Sequence, residues 1–132
     1  SFLMNDVLKG FMKNGVAGRK SRFLNRDDIA GKTGTTNDSI STWFSGYHSD
    51  LVTTVWVGTD DFSSLGENEY GSTIALPIWI NYMDYKLKAL KPTSEEIPEK
   101  ISFVRVNKSS GEVDDDSDGD FYFELFLEEN IN

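Results

Sequence analysis

The sequence has no cysteine among its 132 residues, one histidine and only three prolines. The absence of thiols excludes disulfide bonds and zinc–thiolate sites, and it leaves the cellular compartment undecided. The longest apolar run, Ile74 to Ile80, is far shorter than the roughly 20 residues that a membrane-spanning helix needs. No signal peptide is recognisable either. We therefore expect no membrane contact by this chain itself.

Negative charge is concentrated at the C-terminal end of the chain, whose net charge is −9. From Glu112 onward there are nine acidic residues and no lysine or arginine, whereas 13 acidic and 13 basic residues precede Glu112. A nucleic-acid-binding body is expected to be basic. The neutral body therefore argues against a nucleic-acid partner.

Two helices are predicted from the spacing of apolar residues. A two-residue-wide apolar stripe favours a helix from Phe2 to Asn14. A second helix is expected from Ile74 to Leu90, capped by Ser72 or Thr73. Its apolar character on most faces predicts burial.

Three strands are predicted between these helices, and together the elements indicate an α+β fold with an incomplete sheet. Residues rich in valine, threonine and aromatic side chains favour Ile29 to Thr35, Thr42 to Ser49 and Leu51 to Thr59. The last two are expected to form an antiparallel hairpin through a turn at His48 to Asp50. The basic segment Gly15 to Arg26 is expected to be a solvated loop.

The first of these strands contains the most informative motif, Gly31-Lys32-Thr33-Gly34-Thr35-Thr36. We expect Lys32 and two hydroxyl residues to project from one face, and Gly34 to keep the other face clear. Such an edge offers backbone donors, hydroxyls and an ammonium group to an extended substrate that ends in a carboxylate.

The motif lies in a longer string that resembles the transpeptidase domain of bifunctional class A penicillin-binding proteins of Gram-negative bacteria, closest to their 1A type. The residues that carry the resemblance are Ile29-Ala30-Gly31-Lys32-Thr33-Gly34-Thr35-Thr36-Asn37, Trp43-Phe44-Ser45-Gly46-Tyr47 and Val52-Thr53-Thr54-Val55-Trp56-Val57-Gly58. The resemblance implies a penicillin-binding/serine β-lactamase-like α+β domain, a parent anchored at the periplasmic face of the bacterial inner membrane, and no metal or organic cofactor.

The resemblance also implies roles for the motif residues. Lys32 would support the serine of the family's Ser-x-Asn motif and help to bind the substrate carboxylate, so it is a candidate for both catalysis and substrate binding. Thr33 and Thr35 would offer hydroxyls to the same carboxylate, and Gly34 would leave room for substrate. The backbone N–H of Thr35 would form half of an oxyanion hole. The implied ligands are peptidoglycan stem peptides and β-lactams.

Two of the family's three active-site motifs are missing from this chain. No serine is followed by lysine three positions on or by asparagine two positions on. The resemblance therefore implies a C-terminal part of the domain, partnered by the upstream part, and inactive alone. Two alternatives stay open: a fragment of a serine β-lactamase or D,D-carboxypeptidase, and a non-catalytic interaction module.

Three segments are expected along the chain: the transpeptidase part at 1–91, a strand-turn extension at 92–113, and an acidic and aromatic tail at 114–132. The tail matches the first half of a calcium loop at Asp114, Asp116 and Asp118, but Leu125 stands where the bidentate acid belongs, so an acidic linker is favoured. Its aromatic segment, 121–130, is left open as a strand, a docking tail or a disordered end.

Among single residues, Trp43, Trp56 and Trp79 are expected in the core rather than as substrate platforms. His48 is not expected to be catalytic. Asp60 and Asp61 are expected to pair with the basic loop or to cap local structure.

Overall fold

A computed structural model of the chain describes residues 1–113 and 119–131. The chain forms two compact units, one made of Met4–Ser94 and the other of Ser1–Leu3 with Glu95–Asn132. The acidic run from Asp114 to Asp118, which contains the calcium-loop match, lies outside the described residues.

The larger unit contains helices and strands in an α+β order, as the sequence predicts. The helices are α1 (Phe2–Lys13), which belongs to this unit from Met4 onward, α2 (Gly18–Ser21) and α3 (Ala75–Leu87). The strands are β1 (Ala30–Thr35), β2 (Ser41–His48) and β3 (Leu51–Gly58). Short 3-10 turns occupy Arg22–Leu24 and Asn37–Ser39. The segment Gly15 to Arg26 is therefore partly helical and not simply a loop.

The three strands form one antiparallel sheet in the order β1-β2-β3, which leaves β1 at an edge. Thr33 lies opposite Phe44 and Gly34 opposite Trp43 in the first pair. In the second, His48 lies opposite Leu51, so β2 ends at His48 and the turn is shorter than expected. Residues that lie opposite each other in adjacent strands point to the same face of the sheet, and successive residues along one strand point to opposite faces.

The core of this unit lies between the sheet and α3. Trp79 and Phe44 are fully buried, with ring centroids 4.9 Å apart. The Trp79 indole donates a 3.1 Å hydrogen bond to the Thr53 carbonyl oxygen, so its polar end is satisfied. Gly46 makes this packing possible, because a Cβ there would lie 2.5 Å from Trp79 Cζ2. The core placement of Trp79 is confirmed.

The core placement expected for Trp43 and Trp56 is wrong. Their side chains are 43% and 46% exposed, and the two rings meet edge to face at 6.2 Å. They are cross-strand partners on the sheet face opposite α3. Strand periodicity places them together, and in the described chain this end of the face is left open to solvent.

Helix α3 begins at Ala75, and Pro77 falls in its first turn, where a backbone N–H would have no intrahelical acceptor and proline is therefore tolerated. Its N-cap position is Ile74, which makes no side-chain capping bond, so the expected cap at Ser72 or Thr73 is not found. Thr73 Oγ1 instead accepts from the Tyr70 N–H at 2.7 Å.

The smaller unit contains a two-stranded antiparallel sheet of β4 (Ile101–Asn107) and β5 (Phe121–Leu127). Val104 and Val106 are buried, whereas Phe103 and Phe123 are largely exposed. The aromatic segment that the sequence leaves open is thus a strand over Phe121–Leu127, followed by a short 3-10 turn at Glu128–Asn130. Within the described residues, no helix has the length and apolar character needed to cross a membrane.

Candidate active site

Strand β1 presents the motif along the sheet edge. Thr36 donates its N–H to the Ser41 carbonyl oxygen of β2 at 3.1 Å. Since successive N–H groups of a strand point to opposite sides, the Thr35 and Thr33 N–H groups point away from β2. That side of β1 is paired with no strand of the described chain. Two backbone donors are therefore directed at an open edge.

The motif side chains divide between the two faces of the sheet. Thr33 and Thr35 lie on the α3 face, opposite Phe44 and Thr42, whereas Lys32 lies opposite Ser45 on the other face. The expectation that Lys32 shares a face with the two threonines is wrong, because residues one or three apart on a strand point in opposite directions. The site thus has hydroxyls on one side of the edge and an ammonium group on the other.

The Lys32 side chain is exposed. Its Nζ lies 4.8 Å from the centroid of the Phe11 ring of α1 and donates to the Thr33 carbonyl oxygen at 3.2 Å. The same end of this sheet face receives a second contact from α1, a 2.7 Å hydrogen bond from the Tyr47 hydroxyl to Asn5 Oδ1. Beyond these contacts the face continues to the exposed Trp43 and Trp56.

Gly34 faces Trp43 across the strand pair, and a Cβ at Gly34 would lie 3.3 Å from Trp43 Cβ. The glycine is therefore tight against its neighbour in β2. On the opposite face its backbone is approached by Gly71, where a Cβ would lie 2.7 Å from the Gly34 carbonyl oxygen. Gly34 is thus covered closely on both faces, which leaves the edge as its open side.

The loop between β3 and α3 is attached to the end of the motif. Its Gly71 N–H donates to Thr35 Oγ1 at 3.0 Å. Further along the loop, Leu65 donates its N–H to the Ser39 carbonyl oxygen at 2.9 Å and Ser64 Oγ donates to the Asp38 carbonyl oxygen at 2.6 Å. The loop therefore forms a wall beside the end of β1.

Asp61 organises this loop locally. It accepts hydrogen bonds from the Ser63 N–H at 3.2 Å and the Ser63 hydroxyl at 2.8 Å. These bonds lower the pKa of the Asp61 carboxyl. The expected capping of local structure by this acid is confirmed.

A buried polar cluster that sequence reasoning missed lies just before β1. Arg26 donates from Nε and Nη2 to the two carboxylate oxygens of Asp28 at 2.8 and 2.7 Å, and the Thr93 N–H donates to Asp28 Oδ2 at 2.7 Å. His48 is buried, with Nε2 at 3.2 Å from Asp28 Oδ2 but without hydrogen-bond alignment. The sequence predicts His48 in the hairpin turn, but it is the last residue of β2.

The cluster joins the start of β1 to the end of α3. Arg26 Nη1 also donates to the carbonyl oxygens of Leu87, the last residue of α3, and of Leu90, three residues further on. Burial alone would raise the pKa of the Asp28 carboxyl, but the bonds from Arg26 and Thr93 outweigh it and hold that pKa well below its usual range. The Asp28 bond raises the pKa of Arg26 in turn. In the sequence, the one indication of this cluster is that Arg26 and Asp28, which carry opposite charges, come directly before the motif strand.

An α+β unit that presents a Lys-Thr-Gly edge strand beside a C-terminal helix is typical of the penicillin-interacting serine enzymes. Comparison with known proteins agrees with this class. The chain is 45% identical over 130 residues to penicillin-binding protein 1A of Pseudomonas aeruginosa PAO1, covering 98% of this chain and 16% of that protein. It is 41% identical over 101 residues to penicillin-binding protein 1A of Neisseria gonorrhoeae, covering 76% of this chain and 12% of that protein.

The fold gives the same answer. A 2.6 Å crystal structure of penicillin-binding protein 1A from Haemophilus influenzae matches with a TM-score of 0.82 and 32% identity, over 93% of this chain and 19% of that one. No protein-family model matches the chain. The chain belongs to the penicillin-binding protein 1A family, and it spans about a sixth of the length of the Pseudomonas relative.

Proposed function

We propose that this chain supplies the substrate-binding edge strand of a serine D,D-transpeptidase that cross-links peptidoglycan at the periplasmic face of the bacterial inner membrane. The observation that carries the proposal is the open edge of β1. There the Thr35 N–H is directed outward, with Thr33 and Thr35 on one face and Lys32 on the other. The names of the relatives support penicillin as a ligand of the complete domain.

In the proposed reaction, a serine in the upstream part of the domain attacks the carbonyl carbon of the terminal peptide bond of a donor stem peptide. The serine proton passes to its lysine neighbour. The negative charge that develops on the carbonyl oxygen is stabilised by two N–H groups, one from that serine and one from Thr35. The C–N bond then breaks, and terminal D-alanine leaves after taking up a proton.

The resulting acyl ester is attacked by an amine of a neighbouring strand, which forms the cross-link and frees the serine. A β-lactam enters as a donor mimic and stops at the acyl-enzyme. In both cases the carboxylate of the substrate binds to the hydroxyls of Thr33 and Thr35 and to the ammonium group of Lys32. Gly34 allows the substrate to lie along the edge.

The split of the motif between two faces supports an assembly with the upstream part of the same domain. Lys32 lies on the face that carries the exposed Trp43 and Trp56. An upstream segment that covers these rings would bring its Ser-x-Asn serine to the Lys32 side of the edge. Covering exposed aromatic area also stabilises the assembly.

The test is β-lactam acylation of the full-length parent. Lys32→Ala is expected to lower the acylation rate by about 100-fold or more, because a preorganised charge contact to the reacting substrate is lost. Thr35→Val should lower it less, because the backbone N–H remains. Lys88→Ala is the matched control, since Lys88 is an exposed lysine directly after α3 that pairs with Asp84. If a folded Lys32→Ala variant is acylated at the wild-type rate, β1 is not part of the active site.

A further inference from the structure

We propose that Gly71 is a positioning residue of this active site: its backbone N–H fixes the Thr35 hydroxyl so that the hydroxyl proton points to the substrate carboxylate. The proposal rests on the function proposed above. Gly71 lies 36 residues beyond Thr35 in sequence and is buried against the motif strand.

The first step of the argument is the chemistry of a threonine hydroxyl. It carries one proton to donate and accepts hydrogen bonds through its lone pairs. The Gly71 N–H occupies an acceptor position of Thr35 Oγ1 at 3.0 Å. The side-chain rotor is thereby fixed and the proton stays available. Because Thr35 is otherwise exposed, that proton is free to meet an anion at the edge of β1.

The second step is the rigidity of the donor. The Gly71 carbonyl oxygen accepts from the Leu76 N–H at 2.8 Å, and Leu76 is fully buried in the first turn of α3. The preceding Tyr70 is held by its own bond to Thr73 Oγ1. Both backbone groups of Gly71 are therefore engaged, and the Thr35 hydroxyl is connected through one residue to the core helix.

The third step explains why this position is a glycine. A Cβ there would lie 2.5 Å from the Trp43 carbonyl oxygen, 2.7 Å from the Gly34 carbonyl oxygen and 3.2 Å from the Gly34 nitrogen. All three are backbone atoms of the sheet, so none can move aside as a flexible side chain would. Only a residue without a side chain brings its N–H this close to Thr35.

The experiment measures acylation of the full-length parent by a penicillin with a free carboxylate and by its methyl ester. Gly71→Ala is expected to lower the rate with the free carboxylate about tenfold, as for the loss of one oriented hydrogen bond to a charged group, and to change the ester rate by less than about threefold. Gly10→Ala is the matched control, because a Cβ at Gly10 has no neighbour within 4 Å and the residue lies outside the site.

A double-mutant cycle completes the test. Gly71→Ala combined with Thr35→Val should be no slower than Thr35→Val alone, because both changes remove the same oriented hydroxyl. Additive losses, or equal losses with carboxylate and ester, would overturn the positioning role. Those results would leave the proposed function standing, since that depends on Lys32→Ala.

Hydrogen exchange covers the case in which Gly71→Ala fails to fold. In the parent carrying Thr35→Val, the Gly71 amide should exchange about tenfold faster than in the wild type, while the Leu76 and Thr36 amides keep their rates. Unchanged protection of Gly71 would show that its N–H does not depend on the Thr35 hydroxyl and would also overturn the proposal.

Discussion

The Arg26–Asp28 pair offers the sharpest test of how the motif strand is held, and the perturbation is Asp28→Asn. The carboxylate accepts three hydrogen bonds of 2.8 Å or less, two from Arg26 and one from the Thr93 N–H. The side chains of Arg26 and Asp28 are only 10% and 4% exposed. Removing the negative charge leaves a buried guanidinium without its counterion, for which the expected cost is about 3 kcal/mol of unfolding free energy.

Urea unfolding of the chain, followed by circular dichroism, measures this cost. A loss of about 3 kcal/mol lowers the urea midpoint by roughly 1.5 M for a slope near 2 kcal/mol per molar, and complete loss of the cooperative transition also meets the expectation. Asp84→Asn is the control. It removes an exposed ion pair to Lys88, which is worth only about 0.5 kcal/mol.

The same pair predicts a pH dependence with a definite sign. The pKa of Asp28 is lower in the folded chain than its unfolded value of about 3.9, so the folded state favours the ionised carboxylate. Its contribution is complete at neutral pH and is lost as pH falls below about 4 toward the folded pKa. The difference in unfolding free energy between wild type and Asp28→Asn should therefore narrow as pH falls below about 4. A difference no larger than that of Asp84→Asn, or one that widens in acid, would refute the reasoning.

Three further predictions follow from the sequence and the fold. The chain alone should form no covalent adduct with a fluorescent penicillin, because none of its serines has a lysine three positions on; one β-lactam mass added to the chain would show that the nucleophile is misplaced. Millimolar calcium should leave the thermal midpoint and the backbone spectra unchanged, and a saturable shift of the Gly119 signal would contradict the acidic-linker interpretation. Gly46→Ala should destabilise the chain by about 2 kcal/mol, since its Cβ would meet the Trp79 ring; thermal unfolding with Gly10→Ala as control measures this, and an unchanged midpoint would disprove the close packing.

Local sequence patterns predict the helices and strands of this fold well, because the spacing of apolar residues within a short segment determines which of the two forms. The run of valine and threonine from Val52 to Val57 lies within β3, and the apolar segment after Ile74 contains α3. The exposure of Trp43 and Trp56 was not predictable in the same way. Period two places both rings on one face, but it does not say which face a helix covers.

The polar contacts around the motif strand join residues that are far apart in the sequence. Local sequence patterns therefore cannot predict them. Arg26 reaches carbonyl oxygens that lie more than 60 residues later in the chain. The hydrogen bond from Gly71 to Thr35 involves a backbone N–H, so the donor has no characteristic side chain. The motif residues themselves could be located from sequence because the Lys-Thr-Gly run is local, and their roles stay predictions until acylation is measured.

The substrate-binding role that we propose for β1 places two opposing requirements on an edge strand. The outer N–H groups of the strand must stay without a strand partner so that they can bind the substrate. An edge strand, however, makes only about half of the interstrand hydrogen bonds that hold a central strand. Here the missing support comes from the ends and faces of β1. The Asp28 cluster connects its start to the end of α3 through Arg26, Gly71 connects Thr35 at its end to the same helix, and β2 pairs along its whole inner side. Both ends of β1 are therefore connected to α3, the start through the Arg26 bond to Leu87 and the end through the Gly71 bond with Leu76.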